Sequence, residues 1–178
     1  ELNGLDESIY VSGSVNGSVN DLKGEKVKLL FGDNTKFYGD LALRGLPDIR
    51  ATYLHFDVQH LSTSRSDLEK IPSYPFSEKK HLKLPAELSR LGIVTYKGKF
   101  NGFTSDFSSK GNFNTALGSL STDVQMQIDT AKDIIKYKGK LASNNFNLGR
   151  LAGLPNLGAI SINSSIKGKG ITLKDVDA

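Results

Sequence analysis

The side chains of this 178-residue chain best suited to acid–base or metal chemistry are its three histidines, His55, His60 and His81. His55 and Asp57 stand two residues apart, which on a strand places both on one face. His60 is at odd spacing from His55 and is expected to face the other way. A metal site of the zinc type needs three or four converging ligands, and this spacing supplies too few. No Gly-x-Ser-x-Gly elbow, phosphate-cradling loop or dinucleotide fingerprint occurs. The acids are scattered, with no pair set for proton transfer. With no cysteine there is neither a disulfide nor a thiolate site. The expectation is a protein that is not an enzyme and carries no metal or cofactor.

What remains is the chemistry of surfaces. Lys97, Lys99, Lys136, Lys138, Lys140, Lys167 and Lys169 alternate with apolar residues and read as a basic, solubilising face that also discourages edge pairing. The net charge of +4 is spread along the chain. It gives no concentrated stripe for nucleic acid and only a slight leaning toward acidic partners such as anionic lipid headgroups. Asn16-Gly17-Ser18 and Asn163-Ser164-Ser165 match the glycosylation acceptor pattern, which short polar strands produce by chance. Tyr74-Pro75-Phe76 reads as an exposed connection.

The elements that position these residues are strands. Val94, Tyr96, Gly98 and Phe100, then Phe113 and Leu117, then Val124, Met126 and Ile128, then Tyr137, Gly139 and Leu141 fall on apolar faces of successive period-two segments. The residues between them are polar, so each strand has one buried and one wetted face. Breaks at residues 104–106, 118–119 and 130–133 are short enough for hairpins. Ile9 to Val19, Val27 to Phe31, Phe37 to Leu43 and Leu54 to Val58 repeat the pattern upstream. Between them, Ser66-Asp67-Leu68-Glu69 fits a capping box with Ser66 as N-cap. Residues 71–83 read as an irregular loop, and Pro85 and Gly92 bracket a second short turn on which Leu84, Leu88 and Leu91 share a side. Residues 148–153 fit a third. The expected organisation is a first β-unit over 1–63, a helical and loop insertion over 64–92, and a second β-unit over 93–178 continuous with the first. Both ends read as cut, which makes the chain an excerpt of a longer protein.

Gly13, Gly98, Gly111, Gly139 and Gly168 fall on the apolar face, where a missing side chain marks a bend or a close approach. A row of them predicts an antiparallel meander curled into an open U-shaped groove. The competing expectation is a structural or adhesive β-repeat whose apolar faces pack only on each other. Gly45-Leu46-Pro47-Asp48-Ile49 recurs as Gly153-Leu154-Pro155-Asn156-Leu157. An apolar residue two before a glycine recurs at Val11, Tyr96, Tyr137 and Ile166, the mark of an array.

Together the segments "VSGSVNGSVNDLKGEKVKLLFGDNTKFYGDLALRGLPDI", "LPAELSRLGIVTYKGKFNGF", "LGSLSTDVQM" and "YKGKLASNNFNLGRLAGLPNLGAISINSSIKGKGITLKDVDA" resemble the long AsmA-like proteins of Bacteroidetes, relatives of the TamB family of the translocation and assembly module. The resemblance spans essentially the whole chain. It implies a periplasmic segment of a protein anchored in the inner membrane, with a β-taco-like groove lined by apolar side chains. It further implies phospholipid acyl chains as partners, carried between membranes, or a role in assembling outer-membrane proteins. The twelve apolar-face residues from Val94 to Leu141 named above are the expected groove lining. The insertion departs from a plain repeat.

Overall fold

The computed structural model describes residues 8–71, 84–129, 134–170 and 176–177. Its strands form one sheet in which spatial order equals chain order: β1 (Ile9–Ser18), β2 (Asp21–Phe31), β3 (Thr35–Arg44), β4 (Tyr53–Thr63), β5 (Val94–Phe103), β6 (Asp106–Thr115), β7 (Gly118–Asp129), β8 (Ile134–Phe146), β9 (Ile160–Lys169) and the two-residue β10 (Val176–Asp177). Neighbours are antiparallel throughout. The protein is therefore mainly β, a single antiparallel meander that is not closed into a barrel. β4 pairs directly with β5, so the sheet runs unbroken across the insertion at residues 64–92.

Three departures from strict alternation reset the register, in β2, in β4 and, between Ser143 and Phe146, in β8. In β2 the pairing slips between Gly24 and Val27. Lys26 there takes φ 51°, and its freed backbone N–H donates to Asp40 Oδ1 at 2.7 Å. In β4 a bulge between Val58 and Leu61 brings His60 opposite Tyr38 on the outer face. Odd spacing from His55 had placed it on the inner face; the extra residue of the bulge reverses that parity.

The short helical elements gather at one end of the strands, in the β4–β5 and β8–β9 connections. They are α1 (Arg65–Lys70), a 3-10 turn (Ala86–Leu91) and α2 (Leu148–Ala152). The N-cap of α1 is Ser64, not Ser66: its Oγ accepts the Asp67 N–H at 3.3 Å. Gly92, at φ 65°, closes the 3-10 turn. Asn147 caps α2 by accepting the Arg150 N–H at 2.8 Å, and left-handed Gly153 ends it. Hydrogen bonds tie these pieces together: Arg90 Nη1 donates to the Leu151 carbonyl at 2.8 Å, and Ala116 N–H to that of Leu91 at 2.9 Å. Tyr74-Pro75-Phe76, Lys79, Lys80 and His81 lie outside the described residues.

Asp67 is the most informative polar group of this cap. It is fully buried, and its carboxylate accepts the Asn34 N–H at 2.7 Å, the Thr35 hydroxyl at 3.0 Å and the Asp33 N–H at 3.3 Å. It thereby fastens α1 to the β2–β3 turn. Burial pushes its pKa up, but the donors of Asn34, Thr35 and Asp33 outweigh burial and hold it below the ordinary carboxylate value. A depressed folded-state pKa gives stability that is complete above the unfolded value of about 3.9 and is lost as pH falls through the folded value. Asp67→Asn is expected to cost about 2 kcal/mol in urea unfolding at neutral pH. It should also flatten the fall in stability below pH of about 4. An unfolding midpoint unmoved by the substitution would contradict this role.

Candidate functional site

The ladder registers assemble the inward residues into rows that cross the sheet. Val11, Leu29, Phe37, Leu61, Tyr96, Phe113, Leu120, Ser143 and Ile162 are successive cross-strand partners from β1 to β9. A second row runs Val15, Gly24, Leu41, Phe56, Phe100, Ser109, Val124, Gly139 and Ile166. A third runs Leu22, Leu43, Leu54, Gly102, Phe107, Met126, Tyr137 and Gly168. Between the first two lie Val27, Gly39, Val58, Gly98, Gly111, Thr122, Leu141 and Ser164. Strands are about 4.8 Å apart, so a row over nine strands is about 38 Å long.

The face is only thinly covered. On β7 every inward residue is partly exposed and every outward one exposed, and β9 repeats the pattern. A packed second layer would have buried these side chains. The buried apolar residues among those described are Val27, Phe31, Leu54, Val58, Tyr96, Leu117 and Phe146. They lie in β2 to β5 and at the capped end. β1 is the most open part, with Val11 and Val15 each 52% exposed.

Eleven of the twelve residues expected to line a groove share this face: Val94, Tyr96, Gly98, Phe100, Phe113, Val124, Met126, Ile128, Tyr137, Gly139 and Leu141. Leu117 does not. The β6–β7 reversal falls at Ala116-Leu117, two residues before the expected break. Thr115 fixes it there: its Oγ1 accepts the Leu117 N–H at 3.0 Å and donates to the Gly118 carbonyl at 2.9 Å. Leu117 is buried at the capped end, where its carbonyl accepts the Asn147 N–H at 2.8 Å. The expected lining also omitted the upstream half of each row. Phe37, Phe56, Phe100 and Phe107 form a chain of ring contacts across β3 to β6, with centroids 6.1, 6.0 and 4.8 Å apart. The same alternation in β2 to β4 carried that signal.

Tyr96 organises the centre. Its ring lies 4.5 Å from that of Phe113 and covers Gly98 and Gly111, which stand directly opposite each other. A Cβ added at Gly98 would meet the phenol oxygen at 2.6 Å, and one at Gly111 would meet ring atom Cε2 at 2.6 Å. The hydroxyl donates to the Lys99 carbonyl at 3.0 Å and lies 3.0 Å from Ser109 Oγ, which can donate in return. Burial pushes the phenol pKa up, opposed by the Ser109 hydrogen bond. The Tyr-Lys-Gly motif thus has a structural basis on β5: the ring fills the space its own glycine leaves.

The outer face is polar. Lys99 pairs with Asp57 at 3.1 Å and Lys110 with Asp123 at 2.9 Å. His55 shares a short hydrogen bond with Asn101. Among the described residues no three metal-binding side chains converge. Comparison with protein-family models, curated proteins and solved structures returns no match.

Proposed function

We propose that this chain is a segment of an AsmA/TamB-like envelope protein of the periplasm, its apolar face curled into a U-shaped groove that carries phospholipid acyl chains. The parent protein, anchored in the inner membrane, would pass lipid between membranes or assist assembly of outer-membrane proteins. The observation that supports this best is a set of rows crossing eight or nine strands, apolar or glycine except at Ser109, Thr122, Ser143 and Ser164, with the inward side chains of β7 and β9 left partly exposed. A closed β-repeat would leave no such open face. Gly39, Gly98 and Gly111 in one row let neighbouring backbone and the Tyr96 ring approach closely on the apolar side, which favours bending toward it.

Acyl tails lie along the rows and headgroups stay in water. A tail in one leaflet is about 15 Å long, less than half the length of a row. Burying an acyl chain of about 16 carbons yields on the order of 10 kcal/mol gross at about 0.8 kcal/mol per CH₂. Ordering the chain, and leaving an equally apolar bilayer, offset most of this. Near-balance lets lipid enter, slide and leave without chemistry.

The test is native mass spectrometry of the chain purified without detergent, together with crosslinking to a phospholipid bearing a photoactivatable tail. Bound phospholipid, with crosslinks on Phe100, Val124 or Met126, is the expected result. Spectra identical before and after delipidation, with no crosslink on this face, would refute the reading.

A further inference from the structure

β1 is an edge of the sheet, with β2 as its one partner strand among the described residues. A strand edge offers unpaired N–H and C=O groups to other chains, and proteins ordinarily blunt it with lysine, proline, short length or a bulge. β1 has none of these. It is ten residues long, and alone among the described strands it carries no charged residue. The register slip opposite Gly13 places its extra residue in β2, so β1 itself stays regular.

The side chains of β1 suit pairing. Ile9, Val11 and Val15 point inward and are 41%, 52% and 52% exposed. Among the described strands, they are the exposed large apolar residues of the inward face. The strand is also nearly its own complement. Laid antiparallel on a second copy about Gly13, it sets Val11 against Val15, Ser12 against Ser14, Ile9 against Gly17 and Tyr10 against Asn16. Opposed residues share a face, so a row reaching Val11 in one copy runs on through Val15 of the other. Centring on Ser14 instead would set both valines against glycine. An isologous two-fold contact requires such self-complementarity, and no like charges meet across it.

We propose that β1 is a pairing edge whose partner is a second copy of this chain, joined antiparallel about Gly13. The main-chain ladder and two Val11–Val15 contacts hold the dimer. The contact needs no lipid and stands independently of that reading. Sedimentation equilibrium over a rising concentration series should show a reversible monomer–dimer step. Val15→Lys, an inward charge of the kind that blunts edges, should weaken it by about 10-fold or more, the equivalent of about 1.4 kcal/mol. Ile93→Lys, at a residue 53% exposed and about 19 Å from β1 at four strand spacings, should change it by less than about 2-fold. Register is read with cysteine, which the chain lacks. An equimolar mixture of Ser12→Cys and Ser14→Cys chains should form disulfide-linked dimers on mild oxidation, because directly opposed Cα atoms stand about 5 Å apart. Either chain alone should crosslink several-fold less, its two cysteines lying on the diagonal at about 7–8 Å. The proposal is overturned by a chain that stays monomeric, by equal weakening in Val15→Lys and Ile93→Lys, or by single-cysteine chains that crosslink as well as the mixture. A dimer that survives Val15→Lys but is lost on Val124→Asp would also overturn it, by placing the partner on the apolar face.

Discussion

Gly98→Val is expected to lower stability by about 3 kcal/mol or more, the upper range for overpacking a well-filled site. A Cβ at this position would stand 2.3 Å from the Lys110 carbonyl oxygen and 2.5 Å from the Gly111 Cα. Both are backbone atoms of β6 and cannot rotate away. The Tyr96 hydroxyl, 2.6 Å from the same point, would also be driven from Lys99 and Ser109, at about 1 kcal/mol for each hydrogen bond lost. At 2–4 °C per kcal/mol for a chain of this size, the melting temperature should fall by about 10 °C. Combining Gly98→Ala with Tyr96→Ala separates the two causes. If ring and glycine are coupled, the pair should deviate from additivity by about 1 kcal/mol. A Gly98→Val protein as stable as the parent in urea would mean that β5 and β6 do not approach as closely as described.

Val124→Asp is expected to abolish most lipid capture while leaving the fold intact. Val124 sits mid-row between Ser109 and Gly139, near the centre of the face, and it is partly exposed. A carboxylate there keeps water and costs the sheet little, but it interrupts the apolar path. Forcing two to three methylenes against a hydrated charge forfeits about 2 kcal/mol, which is about 30-fold in occupancy. Gln125→Asp, one residue on and on the wetted face, should leave photocrosslinking unchanged. Equal crosslinking in the Val124→Asp and parent proteins would rule out this face as the path of the tails.

Much of the architecture was legible in the residues. Alternation from Val94 to Leu141 is a local property: successive side chains on an extended backbone point to opposite faces, so strand type and inward set follow without long-range information. Pro85, Gly92 and Gly153 likewise marked the short turns through their own backbone preferences. The errors fall where a local pattern had two continuations. Thr115 and Leu117 extend the alternation past the true reversal, and only the Thr115 hydroxyl closing on Gly118 decides the turn. Ser64 and Ser66 can both cap α1, and burial of Asp67 against the β2–β3 turn selects Ser64. His60 was misplaced because a bulge inserts a residue without changing composition.

The sequence by itself determined that this is an antiparallel β protein with one apolar and one polar face, because period-two patterning is imposed by the geometry of each strand alone. Only the tertiary structure decided which residues align into continuous rows and which lysines oppose one another, since cross-strand register depends on bulges and turns far apart in the chain. It also decided that the inward residues of β7 and β9 stay partly exposed, because the same alternation is written whether another layer, a lipid or water lies against it.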